Sequence, residues 1–345
     1  MPCLHRRHLL RTGAATSLAV TLPGVAAALG TATSATSTAP SAAALQRFAT
    51  EAASIERLQA AVVSHRGEPV LAERFRGPAP ERQVNVKSVS KTLVGALTGA
   101  ALHEGALDSV RRTIGELAPS LIPAGADARV ATLAIEDLLT MRAGLERTSG
   151  ANYGAWVSSA DWVSDALERP FVAEPGGRML YSTGSWHVLG AVLSEITGES
   201  LHTLANRWLG EPLGFRFPPW TRDPQGRYMG GNQMVLSPLE LARIGALYLN
   251  GGTVGTRRVF AADWIDASFT LRTRSPWSGD AYGYGWFLRD LDGVQAAYAR
   301  GYGGQFMHVV PDRQLVVVLT SDVTRAARGG GYTDRLHGLV ARHLL

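Results

Sequence analysis

Strand-like segments lie at both ends of this 345-residue chain, and helical patterns fill most of the region between them. Near the amino terminus, two such segments flank a His-Arg-Gly-Glu sequence (65–68) typical of a hairpin turn. Because both ends supply strands, we expect an α+β fold with one antiparallel sheet of about five strands, flanked by helices and carrying a mostly helical inserted subdomain. The predicted strands are 58–64, 69–75, 282–287, 295–299, 305–310 and 315–320, and a final helix is predicted at 333–345.

The first 28 residues have the features of an export signal. Arg6 and Arg7 are followed by Arg11 and by a mildly apolar run that ends in small residues at 25–27. The weak hydrophobicity of this run is typical of a Tat-type signal, so we expect a periplasmic or secreted protein. The alternative is a frayed basic amphipathic terminus.

The rest of the chain divides by composition. Residues 29–45 are rich in Ala, Thr and Ser, which predicts a flexible linker before a folded part that begins near Gln46. Within residues 46–345 we expect an α/β part and a helical part. The α/β part would comprise about 46–95 and 245–345, and the helical part about 96–244.

Composition excludes several classes of protein. The formal net charge is +5, and three of the positive charges are arginines of the predicted signal, which leaves +2 and predicts no nucleic-acid surface. No apolar stretch approaches the roughly 20 residues that span a bilayer, so we expect no stable membrane anchor. The single cysteine, Cys3, lies in the predicted signal, which argues against disulfides and thiolate metal sites.

Lysine is rare in this chain. Of 34 basic residues only Lys87 and Lys91 are lysines. A lysine retained among so many arginines indicates a position where a side chain must lose its proton, which arginine cannot do. The alternative is two chance lysines on a solvated turn.

Ser88-Val89-Ser90-Lys91 forms an S-x-x-K sequence at the start of a predicted helix that runs to His103 and ends at Gly105. Residues three apart share a helix face, so the Ser88 hydroxyl and the Lys91 amine should approach hydrogen-bond distance. A buried lysine can have its pKa lowered until it accepts a proton. Ser90 is a weaker rival nucleophile, and we expect Lys87 to be a surface charge.

These residues resemble the β-lactamase-related serine hydrolases, which include class C β-lactamases, DD-peptidases, esterases and 6-aminohexanoate-dimer hydrolases. The resemblance covers about residues 50–345 and implies the serine β-lactamase/DD-peptidase-like fold. Besides 85–91, it rests on Ile135–Leu145, Pro175-Gly176 followed by Tyr181-Ser182-Thr183, Asp223–Arg243 and Gly301–Gln305.

The resemblance implies a role for each matching residue. Ser88 would be the acylated nucleophile, and Lys91 and Tyr181 would share the general-base and general-acid work. The backbone N–H groups of Ser88 and Gln305 would form the oxyanion hole. Substrate-binding residues would include Thr183, Tyr302, Gly303 and Gly304, and an acyl pocket would be lined by Tyr153, Trp156 and Trp286, although such aromatic residues more often belong to a core.

Two positions depart from the family pattern. Thr183 stands where asparagine is common, and Tyr302 stands where the family commonly has lysine or histidine. The missing cation favours an esterase or a linear-amide hydrolase over a true β-lactamase or DD-carboxypeptidase. Arg300, two residues before Tyr302 on a strand, could supply a replacement charge.

Other hydrolytic chemistries lack their motifs. There is no G-x-S-x-G elbow, no H-E-x-x-H sequence and no phosphate-binding loop, so we expect neither a metal nor a cofactor. The sequence therefore predicts a hydrolase acting on a small ester, amide or peptide-like substrate through a Ser88 acyl-enzyme. A non-catalytic relative that binds penicillin or peptide remains the rival from another class, and the oligomeric state is not predicted.

Overall fold

The structure, a computed structural model, describes residues 38–327 and 331–345. The predicted export signal and residues 29–37 of the predicted linker lie outside these residues. The last residues of that linker are helical, because helix α1 begins at Ala42, four residues before the expected start at Gln46. Ser41 caps this helix by accepting a hydrogen bond from the backbone N–H of Ala44.

The helices and strands follow the order expected from the sequence, with strands at both ends and helices between them. The α-helices in the described residues are α1 Ala42–Ala53, α2 Val89–His103, α3 Ile114–Leu117, α4 Ile135–Leu139, α5 Tyr153–Val157, α6 Trp162–Leu167, α7 Thr183–Thr197, α8 Leu201–Leu204, α9 Glu211–Leu213, α10 Pro238–Leu249, α11 Ala262–Ser268 and α12 Gly331–Leu344. The strands are β1 Leu58–His65, β2 Glu68–Arg74, β3 Val84–Asn85, β4 Val235–Leu236, β5 Thr253–Val254, β6 Arg257–Arg258, β7 Thr273–Arg274, β8 Ala281–Tyr282, β9 Phe287–Leu291, β10 Val294–Gly301, β11 Gln305–Val310 and β12 Leu315–Ser321.

One antiparallel sheet joins the two ends of the chain. Its order is β2-β1-β12-β11-β10-β9-β8-β7, and Leu58 of β1 pairs with Ser321 of β12. The sheet has eight strands within the described residues rather than about five, because all six expected segments join it, one of them as two strands, and the short strand β7 is added at its edge. The single strand expected at 282–287 is two strands, since the chain turns between them with Gly285 at φ +81°.

Helices cover the sheet and set the position of the S-x-x-K segment. Helix α10 packs against β1, β11 and β12, and a Cβ on its Gly245 would lie 2.5 Å from a methyl of Val316. The expected boundary at 244/245 therefore falls inside a helix that belongs with the sheet. Helix α2 contacts β10 and β11 on one side and α7 on another, so it is buried on nearly every face. Within the described residues, none of the helices combines the length and apolar character that a membrane span requires.

Candidate active site

Ser88 is the residue that immediately precedes helix α2, and Lys91 lies one turn further along it. The Lys91 Nζ atom is 3.0 Å from the Ser88 Oγ atom, as the S-x-x-K spacing predicts. Lys91 is only 2% exposed because α2 is enclosed by the sheet and by α7. This burial lowers the pKa of Lys91 from 10.5 to about 7, so a large fraction of the amine is neutral near neutral pH.

Lys91 makes two further hydrogen bonds, to groups from distant parts of the chain. Its Nζ atom lies 2.6 Å from the carbonyl oxygen of Gly231 and 3.3 Å from Oγ1 of Thr183. A neutral amine has two N–H donors and one lone pair. The Gly231 carbonyl can only accept, so if Thr183 accepts the second N–H, the lone pair faces the Ser88 hydroxyl.

Tyr181 comes to the same place from the segment before α7. Its ring centroid is 4.9 Å from Lys91 Nζ. Burial raises the pKa of the Tyr181 phenol, and a hydrogen bond with the Ser88 side chain and the positive charge of Arg300 partly oppose that effect. The three predicted catalytic side chains therefore meet, with a protonated phenol beside the serine–lysine pair.

A pair of hydroxyl residues that the sequence did not single out holds Thr183 in place. Ser149 Oγ accepts a hydrogen bond from the Thr183 backbone N–H and lies 2.9 Å from its Oγ1. Thr148 similarly binds Ser182 and accepts from the N–H of Gly184. Short hydroxyl residues are common in loops, so no sequence signal distinguishes this clamp.

A cavity of about 560 Å³ opens over Ser88. Of the predicted substrate-binding residues, Tyr153, Thr183, Tyr302 and Gly303 line it. Sequence reasoning missed several other residues of its wall, which no motif marks: Arg147, Ser149, Asn232, Gln233, Trp277 and Phe287.

Trp156 and Trp286 do not line this cavity. Both are fully buried, and Trp156 donates its indole N–H to the carbonyl oxygen of Trp162 at 2.8 Å. Trp286 packs against Tyr248 and Phe269. They are core residues because their elements turn these large apolar rings away from solvent.

The second expected oxyanion donor is the backbone N–H of Gln305, the first residue of β11, and its role stays a prediction. The Gln305 side chain is buried and bonds the backbone of Ser321, and Gly304 packs against the ring of Tyr332. The turn before β11 borders the cavity instead, through Tyr302 and Gly303. Neither Tyr302 N–H nor Ser88 N–H donates a hydrogen bond to any residue among 38–327 and 331–345. The Ser88 N–H is therefore free to act as the first oxyanion donor.

Lys87 is not the surface charge that the sequence suggested. It lines the cavity with a backbone φ of +52°, and its Nζ atom lies 3.4 Å from Oε1 of Gln233. Partial burial lowers its pKa. Ser90 has a structural role, because its hydroxyl donates to the Lys87 carbonyl oxygen and accepts from the Met234 N–H.

Gly301 brings the end of β10 against the nucleophile segment. A Cβ at this position would lie 2.4 Å from the Val86 carbonyl oxygen and 3.1 Å from the Lys87 Cβ. We expect Gly301→Ala to push the Tyr302 turn away from Ser88 and to lower kcat/KM for an ester by about 10- to 100-fold.

The control for this substitution is Gly331→Ala, because no atom of the described residues lies within 4 Å of a Cβ at that position. Steady-state kinetics and thermal unfolding would be measured for both variants. Wild-type kcat/KM in a folded Gly301→Ala protein would contradict the close approach of β10 to the nucleophile segment.

Comparison with known proteins agrees with this geometry. The family model described as beta-lactamase matches residues 50–342. The chain belongs to the beta-lactamase family. A 6-aminohexanoate-dimer hydrolase of Paenarthrobacter ureafaciens is 26% identical over 231 residues, which cover 63% of this chain and 58% of that protein. This beta-lactamase-family chain thus matches less than two thirds of that relative's length.

Solved structures share the fold of this family member. A penicillin-binding protein homologue from Pyrococcus abyssi superimposes with a TM-score of 0.66 and 18% identity, over 86% of this chain and 76% of the other. A family VIII carboxylesterase superimposes with a TM-score of 0.68 and 18% identity, over 87% and 96%. Within the described residues, no cluster of three or more histidine, cysteine or acidic residues is arranged to hold a metal ion.

Proposed function

We propose that this protein is a serine hydrolase that cleaves an ester or a linear amide through an acyl-enzyme on Ser88. The observation that carries the proposal is the buried Lys91 amine, whose pKa of about 7 leaves a lone pair available to the Ser88 hydroxyl. A hydroxyl becomes an effective nucleophile when an adjacent base removes its proton as it attacks.

The first half of the reaction forms the acyl-enzyme. Lys91 takes the Ser88 proton while Oγ bonds the substrate carbonyl carbon, and the backbone N–H groups of Ser88 and Gln305 stabilise the resulting oxyanion. The Tyr181 phenol then protonates the departing alcohol or amine as the tetrahedral intermediate collapses. The Lys91 ammonium restores the phenol, so no net proton is gained or lost.

The second half releases the acid. Water enters the open cavity and attacks the acyl carbonyl while neutral Lys91 accepts its proton, and the oxyanion again lies against the two N–H groups. When this second tetrahedral intermediate collapses, the Lys91 ammonium returns the proton to Ser88 Oγ. Lys91 thus accepts a proton during the attack and gives it up during the collapse, which regenerates the free enzyme.

Two features favour esters or linear amides as substrates. The uncharged Tyr302, 48% exposed at the rim, replaces the cation that the family commonly has there. A relative named for hydrolysis of 6-aminohexanoate dimer, a linear amide, also matches 63% of this chain. The second candidate is a true β-lactamase or DD-carboxypeptidase, because Arg300 and Lys87 line the cavity and could replace the missing cation. We keep export by the Arg6-Arg7 signal as part of the proposal.

Covalent labelling followed by a substrate panel tests this function. We expect a fluorophosphonate probe to add one adduct per chain, located on Ser88 by peptide mass spectrometry. Short-chain p-nitrophenyl esters should be hydrolysed with a kcat/KM at least about 100-fold above that for nitrocefin, because no lysine or histidine stands at position 302.

Each other outcome of the panel selects a different function. Nitrocefin hydrolysis at a rate near that of the esters would establish the β-lactamase alternative. A labelled protein that turns over no ester, linear amide, D-Ala-D-Ala peptide or nitrocefin would establish a non-catalytic binding protein. No Ser88 adduct with intact ester turnover would overturn the serine mechanism.

A further inference from the structure

Arg147 places an unpaired guanidinium in the cavity wall. The side chain is half-buried, and its Cζ atom lies 5.3 Å from the ring centroid of Trp277. The guanidinium also packs beside Gly150, where a Cβ would lie 3.8 Å from Cζ. Contacts with an indole and a glycine hold the charged group in position but satisfy none of its five N–H donors.

The acidic residue nearest in sequence is already engaged elsewhere. Glu146 pairs with Arg169 at 2.9 Å, and Arg169 also binds Asp165. Among residues 38–327 and 331–345, no carboxylate pairs with Arg147 and no acceptor binds its guanidinium. A half-buried, positioned guanidinium without a protein partner has donors available to an external anion.

The charges around Arg147 strengthen this attraction. Lys87 and Arg300 also line the cavity, whereas no aspartate or glutamate does so in the described part of the chain. A concave surface lined by one sign of charge concentrates ligands of the opposite sign.

The geometry also relates Arg147 to the catalytic residues. Trp277, which is 60% exposed, stacks under Arg147 and meets Tyr181 edge to face, with 6.2 Å between the ring centroids. One indole ring therefore separates the guanidinium from the catalytic phenol. A substrate held at both places needs a linear spacer between its reacting carbonyl and its anionic group.

We propose that Arg147, supported by Trp277, binds a carboxylate at the far end of the substrate. The natural substrate class would be linear esters or amides that carry a free carboxylate several bonds from the scissile carbonyl. This inference rests on the proposed serine hydrolase function. It assigns Arg147 a role in substrate selection, since the guanidinium binds the carboxylate in a bidentate manner while the chemistry proceeds at Ser88.

A matched pair of esters tests the proposal. The p-nitrophenyl ester of hexanoic acid and the mono-p-nitrophenyl ester of adipic acid have the same chain length and differ in a terminal methyl or carboxylate. We expect wild type to prefer the carboxylated ester. Replacement Arg147→Gln should lower the ratio of the two kcat/KM values by about 10- to 100-fold, the size of a lost charge-assisted pair. Higher salt should reduce the same ratio in wild type.

Two variants and a second substrate pair complete the design. Arg243→Gln is the control, because Arg243 lies outside both the catalytic cavity and the adjoining one that Arg147 also lines, and it donates to the carbonyl oxygens of Leu213 and Gly214, so the ratio should not change. Arg147→Lys should restore part of the preference by restoring charge. A second pair of esters would carry the methyl or carboxylate on the alcohol side.

A preference that depends on Arg147 in either pair supports the proposal, and its location identifies which side of the scissile bond reaches Arg147. Equal kcat/KM values for charged and neutral esters in both pairs, or an unchanged ratio in folded Arg147→Gln, would overturn it. The proposed serine hydrolase function predicts that wild type hydrolyses the neutral ester, whether or not Arg147 binds a carboxylate. Hydrolysis of the neutral ester without a carboxylate preference would therefore overturn only the role of Arg147.

Discussion

Ser88→Ala is expected to lower kcat for ester hydrolysis by about 10⁴-fold or more and to abolish labelling by a fluorophosphonate. Loss of the nucleophile leaves the oxyanion donors and the binding surface, which by themselves give only a small residual acceleration. The removed hydroxyl bonds Lys91 at 3.0 Å, and the backbone that carries the N–H donor remains. Burst kinetics and intact-protein mass spectrometry would measure the loss.

Ser90→Ala is the matched control, since it removes the neighbouring hydroxyl. Ser90 bonds the Lys87 carbonyl oxygen and the Met234 N–H, so this variant should lose thermal stability and retain the adduct on Ser88. Turnover by folded Ser88→Ala at the wild-type rate, or transfer of the adduct to Ser90, would refute the assignment of the nucleophile.

The second large effect concerns the protonation of Lys91. We expect kcat/KM to rise with pH through a midpoint near 7, because the ammonium that predominates below this pKa has no lone pair with which to take the Ser88 proton. Lys91→Arg keeps a positive charge and several N–H donors, but its guanidinium cannot lose a proton. This variant should therefore lower kcat by about 10³-fold or more and should not show the rise in kcat/KM near pH 7.

Lys91→Met separates a catalytic role from a structural one. The folded pKa of about 7 lies below the ordinary lysine pKa of 10.5, so the unfolded chain binds more protons between these values and stability rises with pH across this window. At and below neutral pH the burial costs on the order of 4 to 5 kcal/mol. We therefore expect Lys91→Met to be inactive but no less heat-stable at pH 6. An active, destabilised variant would show that Lys91 supports the fold and not the reaction.

Much of the fold follows from local sequence pattern. The hairpin of β1 and β2, strand β11 and the length of α2 agree with the expected segments, because apolar periodicity and turn residues act over short distances. Strand β7 was not foreseen, and β8 was merged with β9 in one expected strand, since two-residue strands have no periodicity of their own. The first four residues of helix α1, 42–45, were assigned to the linker because their Ala-rich sequence resembles one in composition.

For the active site too, the sequence predicts the local features but not those that depend on contacts between distant segments. The Ser88–Lys91 approach is a property of one helical turn, so spacing alone predicts it. Lys87 was misassigned because its orientation depends on a contact between distant segments, the approach of its amine to Gln233. Trp156 and Trp286 were assigned to a pocket because an aromatic residue has the same sequence signature in a core and in a cavity wall.

The sequence by itself determined the order of strands and helices, the serine–lysine pair and the family to which the chain belongs, because these depend on local spacing and on ordered motifs. Only the tertiary structure decided that Lys91 is buried against Gly231 and Thr183, that Tyr181 reaches the pair, and that Arg147 lies unpaired beside them. The physical reason is that desolvation and charge pairing arise from side chains that approach one another only when the chain has folded.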